Sequence, residues 1–476
     1  MNSAATMTIP LCVDLDGTLI RTDLLLESTL SLLKQNPLYL FVLPFWLLGG
    51  RANLKRRIAQ RTRVDIATLP WDVRVIELLE TERERRPLVL CTASDYLLAD
   101  AVARHLGCFD QVMASDGSRN LSGRHKADLL VEAYGERGFD YAGNEKRDLA
   151  IWKHARQAVV VNASSRLAGR VSRVSKLGAV LPREHVGVRT WLKAMRLHQW
   201  AKNVLVFLPL LASHRVFDPD ALWRTIATWL IFGLCASGVY VLNDLFDLGA
   251  DRVHPRKRLR PFAAGTLRPT AGLATNLILT VIAFAGAVAV SWQLALVLLG
   301  YWLLTNAYSL KLKRVVVLDV IVLAGLYTVR ILGGAAATHI APSFWMLAFS
   351  MFLFLSLAML KRYAELIDKK QDGVLLAAGR GYHVDDLSML ASLGTASGLL
   401  SVLVFSLYIQ GEDSVRMYQH PALLWILCPL QLYWISRVWF VAHRGAMHDD
   451  PVIFAIADWT SRIVIVLCAI VVVLAV

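Results

Sequence analysis

The chain has 476 residues, of which 56% are hydrophobic, and its 51 Lys and Arg outnumber 37 Asp and Glu for a formal net charge of +14. So apolar a composition excludes an ordinary soluble protein. A basic excess suits nucleic acid, an anionic membrane surface or phosphate-bearing substrates. Here the Lys and Arg lie largely between apolar runs, which favours the last two and argues against a nucleic-acid partner. Cys12, Cys91, Cys108, Cys235, Cys428 and Cys468 form no CxxC pair and no metal spacing, as expected of reduced packing residues in a cytosol-facing protein. Residues Met1 to Pro10 lack the basic-then-apolar pattern of a signal peptide.

In chain order, Leu11 to Ile20 reads as a short buried strand ending in an acidic turn, Asp14-Leu15-Asp16-Gly17-Thr18. Open α/β sheets place their sites at such carboxyl ends. A second strand, Pro87 to Cys91, ends in Thr92-Ala93-Ser94. Lys126 follows the Asp116-Gly117 turn, a further turn at Tyr141 to Asn144 precedes Asp148, and another strand, Ala158 to Val161, leads to Asn162. Strands alternating with helical stretches predict an α/β, Rossmann-like domain with a parallel sheet, over residues 1–165. Residues 23–86 interrupt that sheet with a helical pattern and are expected to form a cap. Within them Leu38 to Leu48 is apolar but short of the ~20 residues that span a bilayer. Arg51, Lys55, Arg56 and Arg57 follow it, so this stretch is either a membrane-surface contact or the core of the cap. Residues 166–190 are polar and basic without a strong period and read as a linker.

The order Asp14, Asp16, Thr92, Lys126, Asn144, Asp148 resembles that of the haloacid dehalogenase-type phosphatases, over roughly residues 8–165. The resemblance implies that Asp14 is the nucleophile, Asp16 the general acid/base, and that Thr92 and Lys126 hold the transferring phosphoryl group. It also implies one Mg²⁺ held among Asp14, Asp16, Asn144 and Asp148. Asn144 departs from the family pattern, which has Asp there, so the metal site loses one formal charge. A pseudo-phosphatase serving as a binding or regulatory module is the alternative.

From about residue 198 the chain is a series of apolar runs, near 198–213, 222–242, 270–291, 293–308, 315–336, 343–360, 386–409, 421–442 and 459–476. They predict an all-α membrane domain of nine transmembrane helices over residues 191–476. Arg and Lys concentrate after the second, fourth, sixth and eighth runs, which places those loops and the first domain on the cytosolic side of a cytoplasmic (inner) membrane.

Asn243 to Asp251 follows the second run and leads into a basic loop containing Lys257, Arg258 and Arg260. At a helical 100° per residue Asp244, Asp247 and Asp251 share one face, with Asn243 at its edge. Carboxylates so crowded repel unless a cation lies among them, and hard oxygen ligands suit Mg²⁺. A second set comprises Tyr308, Lys311 and Asp319, followed by Arg330 and Gly333-Gly334 within an apolar helix. A third, Lys361-Arg362-Tyr363-Ala364-Glu365, ends the sixth run; Gly379-Arg380-Gly381-Tyr382 precedes the seventh, and Asp449-Asp450-Pro451 and Asp458-Trp459-Thr460-Ser461-Arg462 flank the last. Snorkelling at the interface explains Lys361 or Arg362, but neither the acid face nor Arg330.

The ninefold pattern, NDxxDxxxD after the second run and YxxxK with a following Asp after the fourth, resemble the UbiA superfamily of intramembrane transferases. The resemblance implies a diphosphate substrate held by Mg²⁺, with Asn243, Asp244, Asp247, Asp251, Tyr308, Lys311 and Asp319 matching motif positions. Arg196 to Asn203 with its Lys202, the His254 to Gly265 run, and Lys361 to Glu365 are similar to stretches of decaprenyl-phosphate phosphoribosyltransferases. That implies phosphoribosyl diphosphate as donor and a polyprenyl phosphate as acceptor, with Lys202, Lys257, Arg258, Arg260, Tyr308, Lys311, Arg330, Lys361 and Arg362 as phosphate-binding candidates. The combined expectation is a bifunctional membrane enzyme that transfers 5-phosphoribose and then removes the 5-phosphate, a homo-oligomer being open. A prenyltransferase with an aromatic acceptor, and a transporter or scaffold with an inactive phosphatase domain, are the alternatives.

Overall fold

The computed structural model describes residues 9–371, 380–447 and 450–476, so Gly379 and Asp449 lie outside the described residues. The chain divides into two compact units: residues 1–195 with 240–276, and residues 196–239 with 277–476.

The first unit is built on six parallel strands, β1 (Leu11–Val13), β2 (Leu88–Asp95), β3 (Gln111–Ser115), β4 (Asp140–Gly143), β5 (Gln157–Ala163) and β6 (Lys176–Pro182), in the order β3-β2-β1-β4-β5-β6. The short apolar run of β1 pairs on both sides, with Val13 opposite Leu90 and Ala142. Successive side chains point to opposite faces, and both faces are covered. Leu11 and Val13 join Leu88 and Leu90 in one core. Cys12 joins Val89, Cys91 and Tyr141 in the other. The helices on the first face include α1 (Leu24–Gln35), α4 (Val73–Arg83) and α5 (Tyr96–Leu106), and those on the second α6 (Arg124–Tyr134), α7 (Leu149–Trp152) and α8 (Ser165–Val171). Between α1 and α4 lie α2 (Tyr39–Leu48) and α3 (Arg51–Ala59), so the predicted cap region is helical. Strand order reverses between β1 and β4, and the crevice at that switch point is where such sheets bind ligands.

Two features differ from the sequence reading. Tyr141 to Gly143 was expected as a turn but lies in β4, and the turn begins at Asn144. Residues 176–182 were expected in a linker but form β6 against β5. Lys176, Gly178, Val180 and Pro182 are exposed while the residues between them are half-buried, the alternation of an edge strand rather than the apolar run of a central one. The unit continues through α9 (Val188–Ala194), α12 (Leu248–Val253) and the segment between α12 and the helix that follows it.

The second unit is helical: α10 (Leu208–Ala212), α11 (Pro219–Phe246), α13 (Pro269–Val290), α14 (Trp292–Leu310), α15 (Leu318–Thr338), α16 (Phe344–Gln371), α17 (Leu387–Ile409), α18 (Glu412–Met417), α19 (Leu427–His443), α20 (Pro451–Ala457) and α21 (Trp459–Ala475), with the acid-motif end of α11 and the first residues of α13 belonging to the first unit. Among the described residues seven helices are long and apolar enough to cross a membrane, or eight if α20 and α21, bent by 80° at Asp458, count as one span. The nine expected are not reached because residues 197–207 form a 3-10 stretch ending in the five-residue α10. Gly333 and Gly334 allow close helix packing: a Cβ on Gly334 would lie 2.0 Å from the Val206 carbonyl oxygen.

Asp72 shows how the first unit is pinned. Fully buried, it caps α4 and accepts from Arg74 Nη2 at 2.7 Å and Asn162 Nδ2 at 2.8 Å, with Arg21 Nε 3.4 Å away. Burial alone would raise its pKa, but the bonds from Arg74 and Asn162 and the Arg21 charge hold it at about 2. A depressed carboxylate stabilises the fold above the unfolded pKa and loses that contribution as pH falls through the folded one. Asp72→Asn should therefore destabilise the unit by about 1–3 kcal/mol at pH 7. The gap to wild type should narrow between pH 4 and pH 2, read by hydrogen exchange of the β5 amides, and a gap independent of pH would rule this account out.

Candidate active sites

Asp14 leaves the end of β1 and meets Lys126 from α6, whose Nζ lies 2.7 Å from Asp14 Oδ1. The same amine donates to the Cys91 carbonyl and Tyr141 hydroxyl at 3.0 Å each. Burial would pull the Lys126 pKa down, but Asp14 and other nearby anions hold it above the ordinary lysine value. Asp16 accepts from the Leu24 amide at 2.8 Å and the Ser94 hydroxyl at 2.5 Å, and burial, with the Asp23 charge, pushes its carboxyl up to about 7. Asp14, Asp16, Ser94, Lys126 and Asp148 line one cavity of about 370 Å³.

Thr92 does not line that cavity. It is fully buried, and its Oγ1 accepts from the Ser94 amide at 3.0 Å. Ser94, two residues on and pointing the same way in a strand, reaches the cavity instead. Lys55 from α3 also lines it, donating to Asn120 Oδ1 at 2.8 Å. Asp148 accepts from the Asn144 and Glu145 amides at 2.9 and 2.8 Å, which commits one of its oxygens to shaping the turn, and burial and Asp14 push its carboxyl up to about 6. Asn144 Oδ1 is buried and has no hydrogen-bond partner among the described residues. Its amide sits against Gly17, where a Cβ would lie 2.0 Å from Nδ2 and where φ is +76°. An orphaned acceptor on the turn next to β1 fits a cation ligand, with Asp14 as its carboxylate partner.

The acid face also forms. α11 ends at Phe246 and α12 begins at Leu248, yet the Asp247 amide donates to Asn243 and the Asp251 amide to Asp247, so helical spacing runs through the break. Asp244 and Asp251 are both buried, and Arg260 Nη1 bridges them at 3.2 and 2.6 Å. Asp247 Oδ1 pairs with Lys34 Nζ, from α1, at 2.5 Å. Arg252 binds Glu27 of α1 through both terminal nitrogens, at 2.8 and 2.5 Å. Leu30 packs with Val241, Leu245, Leu248 and Phe262 beside them. Lys34 and Glu27 were not anticipated from the sequence. Among the described residues no three acidic, His or Cys side chains close a metal cage. Mg²⁺ needs none, since it binds through one or two carboxylates and substrate phosphates, and carboxylates already bridged by Arg260 and Lys34 fit it. Lys257 and Arg258 lie exposed on the following 3-10 turn.

In the second unit Asp319, expected at a metal, is fully buried and committed to Arg362 Nε at 2.5 Å and the Tyr382 hydroxyl. Arg362 also donates to Tyr308 at 2.6 Å and Glu365 at 2.7 Å. Val317, before it, has φ +67°, a costly value for a β-branched residue, and its amide donates to Tyr382 at 3.0 Å. Lys202 and Lys361 both lie 2.7 Å from Asp450 Oδ2, a partner missed in the sequence because 248 positions separate it from Lys202. Arg330 is satisfied by Asn203 at 2.9 Å, Tyr301 at 3.2 Å and the Leu326 carbonyl. Lys311 is exposed at the end of α14. An apolar cavity of about 660 Å³ lies in the same unit, lined by side chains such as Leu205, Phe349, Trp434 and Val464.

The long apolar helices of the second unit define an integral membrane protein by class. The UbiA prenyltransferase family matches residues 204–459, more than half of the chain, and the chain belongs to that family. It is a multi-pass membrane protein. An uncharacterized protein of Sinorhizobium fredii, y4nM, is 37% identical over 458 residues, 95% of this chain and 88% of the relative. The decaprenyl-phosphate phosphoribosyltransferase of Mycobacterium tuberculosis is 34% identical over 226 residues, 47% of this chain and 74% of the relative. A solved UbiA homolog from Archaeoglobus fulgidus, bound to GPP and Mg²⁺, superposes with a TM-score of 0.47 at 14% identity, over 59% of this chain and 99% of that one.

Asn144→Asp should tighten Mg²⁺ binding in the first cavity by about tenfold, one extra charge at a short distance being worth about 1.4 kcal/mol at a high effective dielectric. Magnesium-dependent thermal protection of the purified protein reads it, and unchanged protection would remove Asn144 from the ligand set. Glu27→Ala should cost about 3–5 kcal/mol, because Arg252 is left buried and unpaired. The double replacement with Arg252→Met should recover part of that loss; strict additivity of the two would show that the pair is not coupled.

Proposed function

We propose that the chain transfers 5-phosphoribose from phosphoribosyl diphosphate to a polyprenyl phosphate, and that its first unit then hydrolyses the 5-phosphate. The observation that carries the reading is the cationic bridging of the acid face, Arg260 on Asp244 and Asp251 and Lys34 on Asp247, which leaves cations and carboxylates ready to exchange partners with a metal-bound diphosphate. The name of the mycobacterial relative supports the donor and acceptor classes.

In the transfer, a lipid phosphate oxygen attacks C1 of the ribose and the diphosphate leaves. One or two carboxylates of the Asp244, Asp247 and Asp251 face would hold Mg²⁺, which supplies the charge that neutralises that leaving group. Arg260, Lys257 and Arg258 donate charge-assisted bonds to phosphate oxygens, with Asn243 at the edge of the face. Lys202 and Lys361, now sharing Asp450, and Arg362, Tyr308 and Lys311 supply donors in the second unit, whose apolar cavity has room for part of a polyprenyl chain. Arg330 orients that region through Asn203 and Tyr301. Asp319 acts by holding Arg362.

In the hydrolysis, Asp14 attacks the 5-phosphate phosphorus, the ribose O5 leaves with the proton of Asp16, and Lys126 holds the equatorial charge. Water, deprotonated by Asp16, then frees phosphate from Asp14. A carboxyl raised to about 7 is suited to give and take that proton near neutrality. Ser94 positions Asp16, and Thr92 supports the Ser94 amide from below. We place both sites on the cytosolic side of an inner membrane, so that hydrolysis draws the transfer forward.

Labelled phosphoribosyl diphosphate and a polyprenyl phosphate test this with purified protein. Wild type should yield the dephosphorylated ribosyl lipid and Asp14→Asn its 5-phosphorylated precursor. Asp244→Asn should make no new lipid but hydrolyse the precursor when it is supplied. Arg260→Met should lower transfer by about 10- to 150-fold, the loss of a charge-assisted contact worth roughly 1.5–3 kcal/mol. Turnover of a prenyl diphosphate with an aromatic acid, and none of phosphoribosyl diphosphate, would establish the prenyltransferase reading instead. Failure of wild type to hydrolyse the supplied precursor would leave the first unit as a binding module.

A further inference from the structure

Helix α2 is apolar on every side. Tyr39, Val42, Leu43 and Trp46 face inward onto Leu32 and Ile58. Leu38, Phe41, Phe45 and Leu48, at the complementary helical spacing, are 65%, 69%, 71% and 85% exposed. A helix apolar all round is buried in something, and a contiguous apolar patch marks a partner or a membrane. Its ten residues rise about 15 Å, half the thickness of a bilayer's hydrocarbon core, so it can lie in a leaflet but not cross.

Two further observations identify what covers it. First, the patch is bordered by cations. The chain breaks at Gly49-Gly50, where Gly50 has φ +93° and Asn53 Nδ2 closes the Trp46 carbonyl at 2.9 Å. α3 then presents Arg51 and Arg57 to solvent and Arg61 follows just past its end, the guanidinium groups of Arg57 and Arg61 lying 5.9 and 4.9 Å from the Trp46 ring. Apolar face beside basic rim is the composition of a helix that lies in an anionic interface. Second, the patch is continuous with the first cavity: Leu47 of α2, with Arg51 and Leu54, lines the space that holds Asp14 and Lys126.

We propose that α2 is an interfacial helix, seated in an anionic lipid surface, and that its Leu47 end forms the lip over which the phosphate of a lipid-borne substrate enters the Asp14 cavity. The lip's role rests on the hydrolase reading above; the seat in the lipid does not.

The full-length protein in nanodiscs containing phosphatidylglycerol, with p-benzoylphenylalanine placed at Phe45, tests the seat by mass spectrometry after irradiation. Adducts to lipid are expected. Adducts to a second copy of this chain, to residues of the same chain, or none at all, would overturn it. The lip is tested with a variant carrying Phe41→Ser, Phe45→Ser and Leu48→Ser. Its kcat/KM on a polyprenyl-borne ribose 5-phosphate should fall by about tenfold, while hydrolysis of soluble p-nitrophenyl phosphate stays within about twofold. Equal losses on both substrates, or no loss on the lipid, would overturn the lip. If wild type hydrolyses neither substrate, the hydrolase reading and the lip fail together, and the photo-adduct still decides the seat.

Discussion

The buried pair of Glu27 with Arg252 is the interaction on which the arrangement of the acid motif depends. Two charges taken out of water cost more than they return unless each is bonded on several sides. Here both guanidinium ends reach the Glu27 carboxylate, Thr22 donates to it as well, and Arg252 Nε donates to the Ala263 carbonyl at 3.2 Å. The pair joins α1 to the helix that carries Asp251, and Lys34, two turns further along α1, reaches Asp247. At its other end α1 starts on Asp16, which accepts the Leu24 amide. One twelve-residue helix, about 18 Å long, thus touches the acid of the first cavity and the acid face of the motif. A shift of α1 along its axis is felt at both.

Charge balance follows the same rule at several other buried acids. Asp14 is matched by Lys126, Asp244 and Asp251 by Arg260, Asp319 by Arg362, and Asp450 by Lys202 with Lys361. Burying a carboxylate is costly without such a partner, and where none pairs, as at Asp148, burial raises the carboxyl instead. Some of the chain's Lys and Arg therefore neutralise acids inside and stand apart from the net excess of +14. That has a chemical consequence. A substrate that brings phosphates together with a divalent cation offers each group a new partner of the right sign, so carboxylates and cations can exchange without any of them being left bare.

What the sequence disclosed was whatever its local period encodes. β1 and its acidic turn were legible because an apolar triplet must be a buried strand and Gly17 must turn. The acid face was legible because three aspartates at helical spacing stay on one face, and hydrogen bonds from Asp247 to Asn243 and from Asp251 to Asp247 keep that spacing through a break in the helix. β6 was not legible, since Gly178 and Pro182 interrupt a short stretch that is exposed at every second residue, as an edge strand is. Ser94 was hidden behind the Thr92 of the motif; strand alternation sends both toward one side, and only depth in the fold separates them. Lys34, Glu27 and Asp450 were beyond reach for another reason. Their partners lie 213, 225 and 248 positions away, and no local pattern pairs charges over such distances. The count of spans fell short where the residues after Arg196, an αL residue, wind as a 3-10 stretch, a backbone choice that apolar composition does not reveal.

Asn144 is best understood through the crowding around it. The first cavity already holds Asp14, Asp16, Asp23 and Asp148, and the carboxyls of Asp16 and Asp148 are raised to about 7 and about 6, burial being the larger cause and neighbouring carboxylates adding to it. A carboxylate at position 144 would push both further, because like charges at short range disfavour each other's ionised form. The amide keeps an oxygen acceptor at the same place without adding that charge, and its Nδ2 occupies the space that Gly17 leaves open. An amide in place of a carboxylate offers a cation one charge less and leaves out a like charge that would raise the Asp16 carboxyl further. Lys55 and Arg147 line the same cavity as Lys126, so cations face these carboxylates there. In the hydrolysis proposed above, those cations would meet the phosphate directly.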